Sequence, residues 1–116
     1  MSDSSWQVFD VEKIKAQMSN KPVEYREFLR VPTVSCGLYH LAAGSQDMQT
    51  PHDEDEMYFV LEGRAQLQVG DEVHEVTPGS ILYVEAAEAH SFFEIVEDMT
   101  LLVVFPAGQR HDSAAK

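Results

Sequence analysis

At 116 residues, with 44% hydrophobic and 24% charged residues, the chain has the size and balance of one globular domain with a single core. Twenty acidic against eight basic side chains give a formal net charge of −12, which repels phosphate backbones and anionic lipids and so argues against nucleic-acid and membrane partners. The longest apolar run, LLVVF at 101–105, is far too short to span a bilayer. The N-terminal MSDSSWQVFD has no secretory character, and the lone Cys36 has no internal disulfide partner, so a cytoplasmic protein is expected.

Residues 1–22 read as a lead-in, pinned by Trp6 and Phe9, followed by one short helix. Asp10 is placed as its N-cap, Val11, Ile14 and Met18 recur at helical spacing, and the helix is expected to end near Asn20, before Pro22. Residues 23–106 change character. VEYREFLRV, TVSCGLYHLA, MYFVLEG, RAQLQVG, EVHEV, SILYV, HSFFEIV and MTLLVVF are short and rich in β-branched and aromatic residues. Gly63, Gly70-Asp71, Pro78-Gly79 and Glu97-Asp98 are the expected turns between them. About eight short strands predict an all-β sandwich or barrel. Residues 107–116 read as a flexible tail. Met57, Phe59 and Leu61 alternate with the equally apolar Tyr58 and Val60, so this strand needs cover on both faces. One face lines the interior. The other meets the N-terminal helix, another strand or a second subunit, and a homodimer is therefore expected.

The stretch TPHDEDEMYFVLEG, residues 50–63, holds most of the chemistry. A single histidine beside four acids is ordinarily a solvated loop, and His52 taken alone reads that way. Its register is less ordinary. Gly44, five residues, Thr50-Pro51-His52, three residues, Glu56, six residues and Gly63 form one spaced set. Gly79, five residues, Glu85-Ala86-Ala87, two residues, His90, three residues and Glu94 form a second. Together they resemble the two motifs of the cupin superfamily, whose first motif carries His-x-His and Glu between two glycines. Its second carries Gly, Pro-x-Gly, His and Asn. The resemblance spans Gly44 to Glu94 and fits the flanking strands.

That resemblance implies a small double-stranded β-helix, or jelly-roll, barrel with one short N-terminal helix. It also implies a divalent transition metal (Fe, Mn, Ni or Zn) held by His52, Glu56 and His90. The first motif histidine is replaced by Thr50, the turn Pro and Gly by Glu85 and Ala87, and the closing Asn by Glu94. Two imidazoles and a carboxylate still leave open coordination positions, an arrangement that suits Fe(II) and tolerates the other metals. Thr50 is a weak donor, so water, Gln49 or Asp47 would fill the gap. A small-molecule ligand in the barrel interior is expected, with Glu56 as the group that moves protons. The chemistry open to such a site is isomerisation, elimination, cyclisation or dioxygenation of a small polar organic molecule. A metal-poor or metal-free protein that binds a metabolite without catalysis is the alternative, motivated by Thr50 and by Glu85, Glu88 and Glu94. A scaffold with a vestigial site and a filled interior is the third reading.

The remaining candidates have plainer readings. Glu56 could pair with Arg64 or a backbone amide. His40 is expected to point outward, His74 to be exposed and His111 to lie in the tail. Asp53, Glu54 and Asp55 read as an exposed loop, and Cys36 as a small core residue. Tyr58, Tyr83, Phe92 and Phe93 are assigned to the core, with one or two walling a pocket.

Overall fold

The computed structural model describes residues 5–19, 21–47 and 54–106. One helix precedes six strands: α1 Val11–Gln17, β1 Val23–Val31, β2 Val34–Leu41, β3 Glu56–Val69, β4 Glu72–Val76, β5 Ile81–Val84 and β6 His90–Phe105. The Asp10 carboxylate accepts from the Lys13 backbone amide at 3.1 Å and caps α1 as the sequence predicts. The helix closes earlier than expected, because Met18 is already extended and the Ser19 amide donates to the Glu24 carboxylate. Asn20 lies outside the described residues.

All pairings are antiparallel. The strand order is β1-β2-β6-β3-β4, with β5 on the free side of the first half of β3. Two expected turns are bends instead. Gly63 lies inside β3 and Glu97-Asp98 inside β6, so four predicted segments fuse into two long strands. Their mutual register slips between Val60 and Gln66, which places bulges where the sequence predicts breaks. A bulge bends a strand without releasing its partner. The first half of β3 therefore lies between β5 and the end of β6, and its second half between β4 and the start of β6. This fold-over makes the two layers of a jelly-roll barrel.

Gly63 shows why the bend is specific. It adopts a φ of +95°, and a Cβ there would run into the Asp98 carbonyl oxygen and Met99 Cα. Only glycine meets both demands.

Alternation sets the two faces. Tyr39, Leu41, Tyr58, Val60, Ala65, Leu67, Val76, Val84, Phe92, Ile95, Met99, Leu101 and Val103 form one buried interior cluster. Full burial of each large side chain contributes roughly 1.5–3 kcal/mol. On the outer face, Ile14 and Leu38 are buried outside that cluster, and Lys15 Nζ reaches Glu62 Oε1 at 2.7 Å to tie α1 down. Phe9 packs on Phe28, which anchors the lead-in as expected of it. The core assignment holds for Tyr58 and Phe92, whereas Phe93 is half-buried. Tyr83 is a correction. It is 60% exposed because it pairs with outward-facing Met57.

Candidate metal centre

Glu56 and Tyr58 are two apart on β3 and so share its inner face. His90 opens β6. In the ladder it sits opposite Val69, at the far end of β3 from Glu56. The bend of the two long strands carries His90 back across the interior, where its Nε2 lies 3.1 Å from Glu56 Oε1. Tyr58 Oη joins them: it donates to the other carboxylate oxygen, Glu56 Oε2, at 3.0 Å and lies 3.0 Å from His90 Nε2. Glu56 is 2%, Tyr58 1% and His90 8% exposed, so all three polar groups meet in the protein interior. Arg64, the alternative partner for Glu56, instead binds Glu75 at 3.0 Å.

His90 Nδ1 donates to the Glu88 carbonyl at 2.9 Å, which fixes the ring and aims Nε2 at the carboxylate. Donation of the distal N–H to a backbone carbonyl is the usual support of a metal-binding imidazole. Burial alone would lower the His90 pKa, but the hydrogen bond to Glu56, that to Glu88 and the charges of Glu56 and Asp47 outweigh it and raise the value. A positive charge is thus favoured at the point where His90 and Glu56 meet.

His52, Thr50 and Gln49 lie outside the described residues, as do Asp53 and His111. Among the described residues, no three His, Cys, Asp or Glu side chains come together as a metal site. The structure unites Glu56 and His90 of the expected ligand set. The flanks of the segment that carries His52 are both secured beside them. Asp47, buried, accepts from Tyr39 Oη at 2.5 Å and from the Phe92 amide at 2.9 Å. At the other flank, Asp55 accepts from the Ala86 amide at 2.9 Å, in the loop that leads to His90. Asp55 is therefore a structural cap and half-buried, not the exposed loop residue expected, and Glu54 is half-buried too. Both Asp47 oxygens are engaged in anchoring, which sets it against the role of spare ligand.

The other histidines are plain. His74 is exposed, and His40 lies on the outward row of β2, opposite Thr100. Cys36 is half-buried on that same outward side, and burial raises its thiol pKa. Sequence reasoning missed Asp47 as an anchor and Tyr58 as a polar partner. Strand alternation already places Tyr58 on the face of Glu56, but a tyrosine in an apolar strand reads as a ring before it reads as a hydroxyl.

Two positions that depart from the motif have positive φ. Ala87 stands where the motif has glycine and has a φ of 69°; Glu94 stands where it has asparagine and has a φ of 48°. Both are left-handed conformations that the motif residues tolerate better.

The donor chemistry fits a divalent ion. A buried carboxylate and an oriented imidazole, with edges near 3.0 Å, match adjacent donors around a metal bound at roughly 2.0–2.2 Å. A small jelly-roll barrel with an inward carboxylate–imidazole pair defines the class. The chain belongs to the cupins: the cupin domain model matches residues 37–105. The uncharacterized protein SCO3923 of Streptomyces coelicolor is 45% identical over 97 residues, covering 84% of this chain and 92% of that protein. The TT1209 structure from Thermus thermophilus superposes with a TM-score of 0.73 at 22% identity, over 87% of this chain and 97% of the other. The DMSP lyase DddQ of Ruegeria pomeroyi DSS-3 gives 0.69 at 15% identity, over 78% of this chain and 51% of the lyase. At such identities these structures speak for the fold alone.

Proposed function

We propose that this protein binds a divalent transition metal inside the barrel and acts on a small polar organic molecule. The observation that carries the reading is the buried Glu56–His90 contact at 3.1 Å, with His90 oriented by the Glu88 carbonyl. His52, Glu56 and His90 would hold the ion. The bound ion would supply stabilisation of negative charge developing on a substrate oxygen. Glu56 is placed to take or return a proton at that position, as a carboxylate already hydrogen-bonded to its neighbours. Proton movement next to a carbonyl supports isomerase, lyase or cyclase chemistry, and a lyase occurs among the neighbours in fold. Dioxygenation is the variant that iron would support. Metal analysis of the purified protein tests the reading. We expect close to one equivalent after growth with Mn, Fe, Ni and Zn, and a much smaller content in His90→Ala. No stoichiometric metal, or equal metal in His90→Ala, would sink it.

One observation favours the metal-free alternative: Glu56, Tyr58 and His90 hydrogen-bond one another without an ion. On that reading the interior binds a metabolite directly. A thermal shift with metabolites, and none with divalent metals, would select it.

We also infer a homodimer and a cytoplasmic location. Met57, Phe59 and Leu61 on β3 and Ile81 and Tyr83 on β5 form an uncharged outer face on a chain of net charge −12. Ile81 and Tyr83 are 62% and 60% exposed. A second copy is the fitting partner, since like-charged copies repel everywhere except at such a face. Ile81→Lys combined with Tyr83→Lys should convert a dimer on sizing chromatography to a monomer; a monomeric parent at every concentration counts against it. Among the described residues no helix is long and apolar enough to cross a membrane.

A further inference from the structure

We propose that Tyr58 is a ligand of the metal, its phenol oxygen supplying the donor that Thr50 cannot. This inference rests on the metal-binding reading above and goes beyond it by naming a residue outside the motif set. Three donor atoms around one octahedral ion, at roughly 2.1 Å each, stand about 3.0 Å apart when adjacent. Tyr58 Oη stands 3.0 Å from Glu56 Oε2 and 3.0 Å from His90 Nε2, and the other carboxylate oxygen, Glu56 Oε1, stands 3.1 Å from His90 Nε2. The phenol oxygen is thus at the spacing of an adjacent donor from both the carboxylate and the imidazole.

The placement of Tyr58 is not adaptable. Its ring sits edge-on to Phe92 at 5.3 Å and to His90 at 5.9 Å between centroids, and the residue is 1% exposed. Phe92 is in turn held by Asp47 through its amide. The phenol oxygen is thus fixed by packing on the side where the carboxylate and the imidazole meet. A core tyrosine needs only one hydrogen-bond partner for its hydroxyl. This one touches both atoms expected to bind the ion. Carboxylate, imidazole and phenolate together make a harder donor set than three imidazoles and a carboxylate, which tilts preference toward iron and manganese.

Copper(II) is the probe, because phenolate bound to it gives a charge-transfer band in the visible that carboxylate and imidazole do not. The full-length metal-free protein is titrated with Cu(II) to one equivalent, and Zn(II) affinity is measured by chelator competition. The parent should show the band. Tyr58→Phe, which keeps the ring and its packing, should lose the band and bind Zn(II) at least tenfold more weakly. A parent that binds one equivalent of Cu(II) without the band overturns the assignment, as does a band that survives in Tyr58→Phe. Should Tyr58→Phe fail to fold, the other three tyrosines decide by elimination. A band retained in each of Tyr25→Phe, Tyr39→Phe and Tyr83→Phe supports Tyr58, and a band lost in any one overturns it. A parent that binds neither metal refutes the metal-binding reading itself, and this inference with it.

Discussion

Ala87 and Glu94 carry the second motif's backbone without its residues, and relieving them should stabilise the protein. Their φ values of 69° and 48° lie in the left-handed region. For a residue with a Cβ that region costs roughly 1–2 kcal/mol. Glycine removes this cost but loses roughly 0.5–1 kcal/mol more on folding, through its extra freedom in the unfolded chain. The difference leaves about 0.5–1 kcal/mol of gain at each site. Both side chains are exposed, so nothing in the interior is disturbed. The positions are seven residues apart along extended chain and share no hydrogen bond shown for either, so the gains should nearly add. Ala87→Gly with Glu94→Gly should therefore raise unfolding free energy by about 1–2 kcal/mol. For a domain of this size that corresponds to a Tm increase of roughly 5–10 °C. Urea denaturation and thermal circular dichroism of the metal-free protein measure it, with an unchanged urea slope. Glu85→Gly, in the same loop but without a positive φ, is the control and should not stabilise. A double variant no more stable than the parent would refute the strain argument.

Four further substitutions probe the same fold. Gly63→Ala combines a φ of +95° with contacts on the Asp98 carbonyl and Met99 Cα, so it should lose roughly 2–5 kcal/mol in urea. Gly79→Ala has a φ of +97° but nothing near its Cβ, and by the same difference should lose only roughly 0.5–1 kcal/mol. Asp47→Ala strips the acceptor from Tyr39 Oη and the Phe92 amide; at roughly 1–3 kcal/mol for each abandoned donor, a total of about 2–6 kcal/mol is expected by denaturation. Glu62 has its pKa lowered from 4.5 by the Lys15 ammonium and then the Thr100 hydroxyl, against a smaller opposing effect of burial. Its contribution is therefore present above pH 4.5 and is lost as pH falls through the lowered folded value. Glu62→Gln should be less stable than the parent at pH 7, and the gap should close in acid; a gap that widens would reverse the sign.

Short-range chemistry is legible in the sequence, and long-range bending is not. Asp10, Ile14 and the alternation of Tyr58 and Val60 can be read directly, because a cap and a strand's two faces are set within a few residues. Gly63 and Glu97-Asp98 read as turns because glycine and adjacent acids mark turns and bulges alike. Only the partner strand decides which forms, and here β3 and β6 stay paired through the bend. The cupin motif compensates for this, since its spacing encodes the fold-over that local propensity does not. It places Glu56 and His90 together although the ladder puts them at opposite ends of β3. What the motif cannot supply is Tyr58, a residue it does not specify.

The departures from the motif divide into two kinds, and the division bears on function. Ala87 and Glu94 adopt the left-handed conformation that glycine and asparagine tolerate better, so those departures bear on stability. At Thr50 the change is one of donor chemistry, which no backbone conformation can restore. On the proposed reading, a replacement donor comes from another side chain. Tyr58 is already there, two residues beyond Glu56 on β3 and 3.0 Å from His90 Nε2. If loss of the motif histidine had been followed by loss of function, nothing would favour keeping a carboxylate, an imidazole and a phenol buried within 3.1 Å of one another. An apolar interior would fold at least as well, because each buried polar group has a desolvation penalty that hydrogen bonding only offsets. The metal-binding reading proposed above supplies a reason for this buried polar group that its contribution to the fold does not.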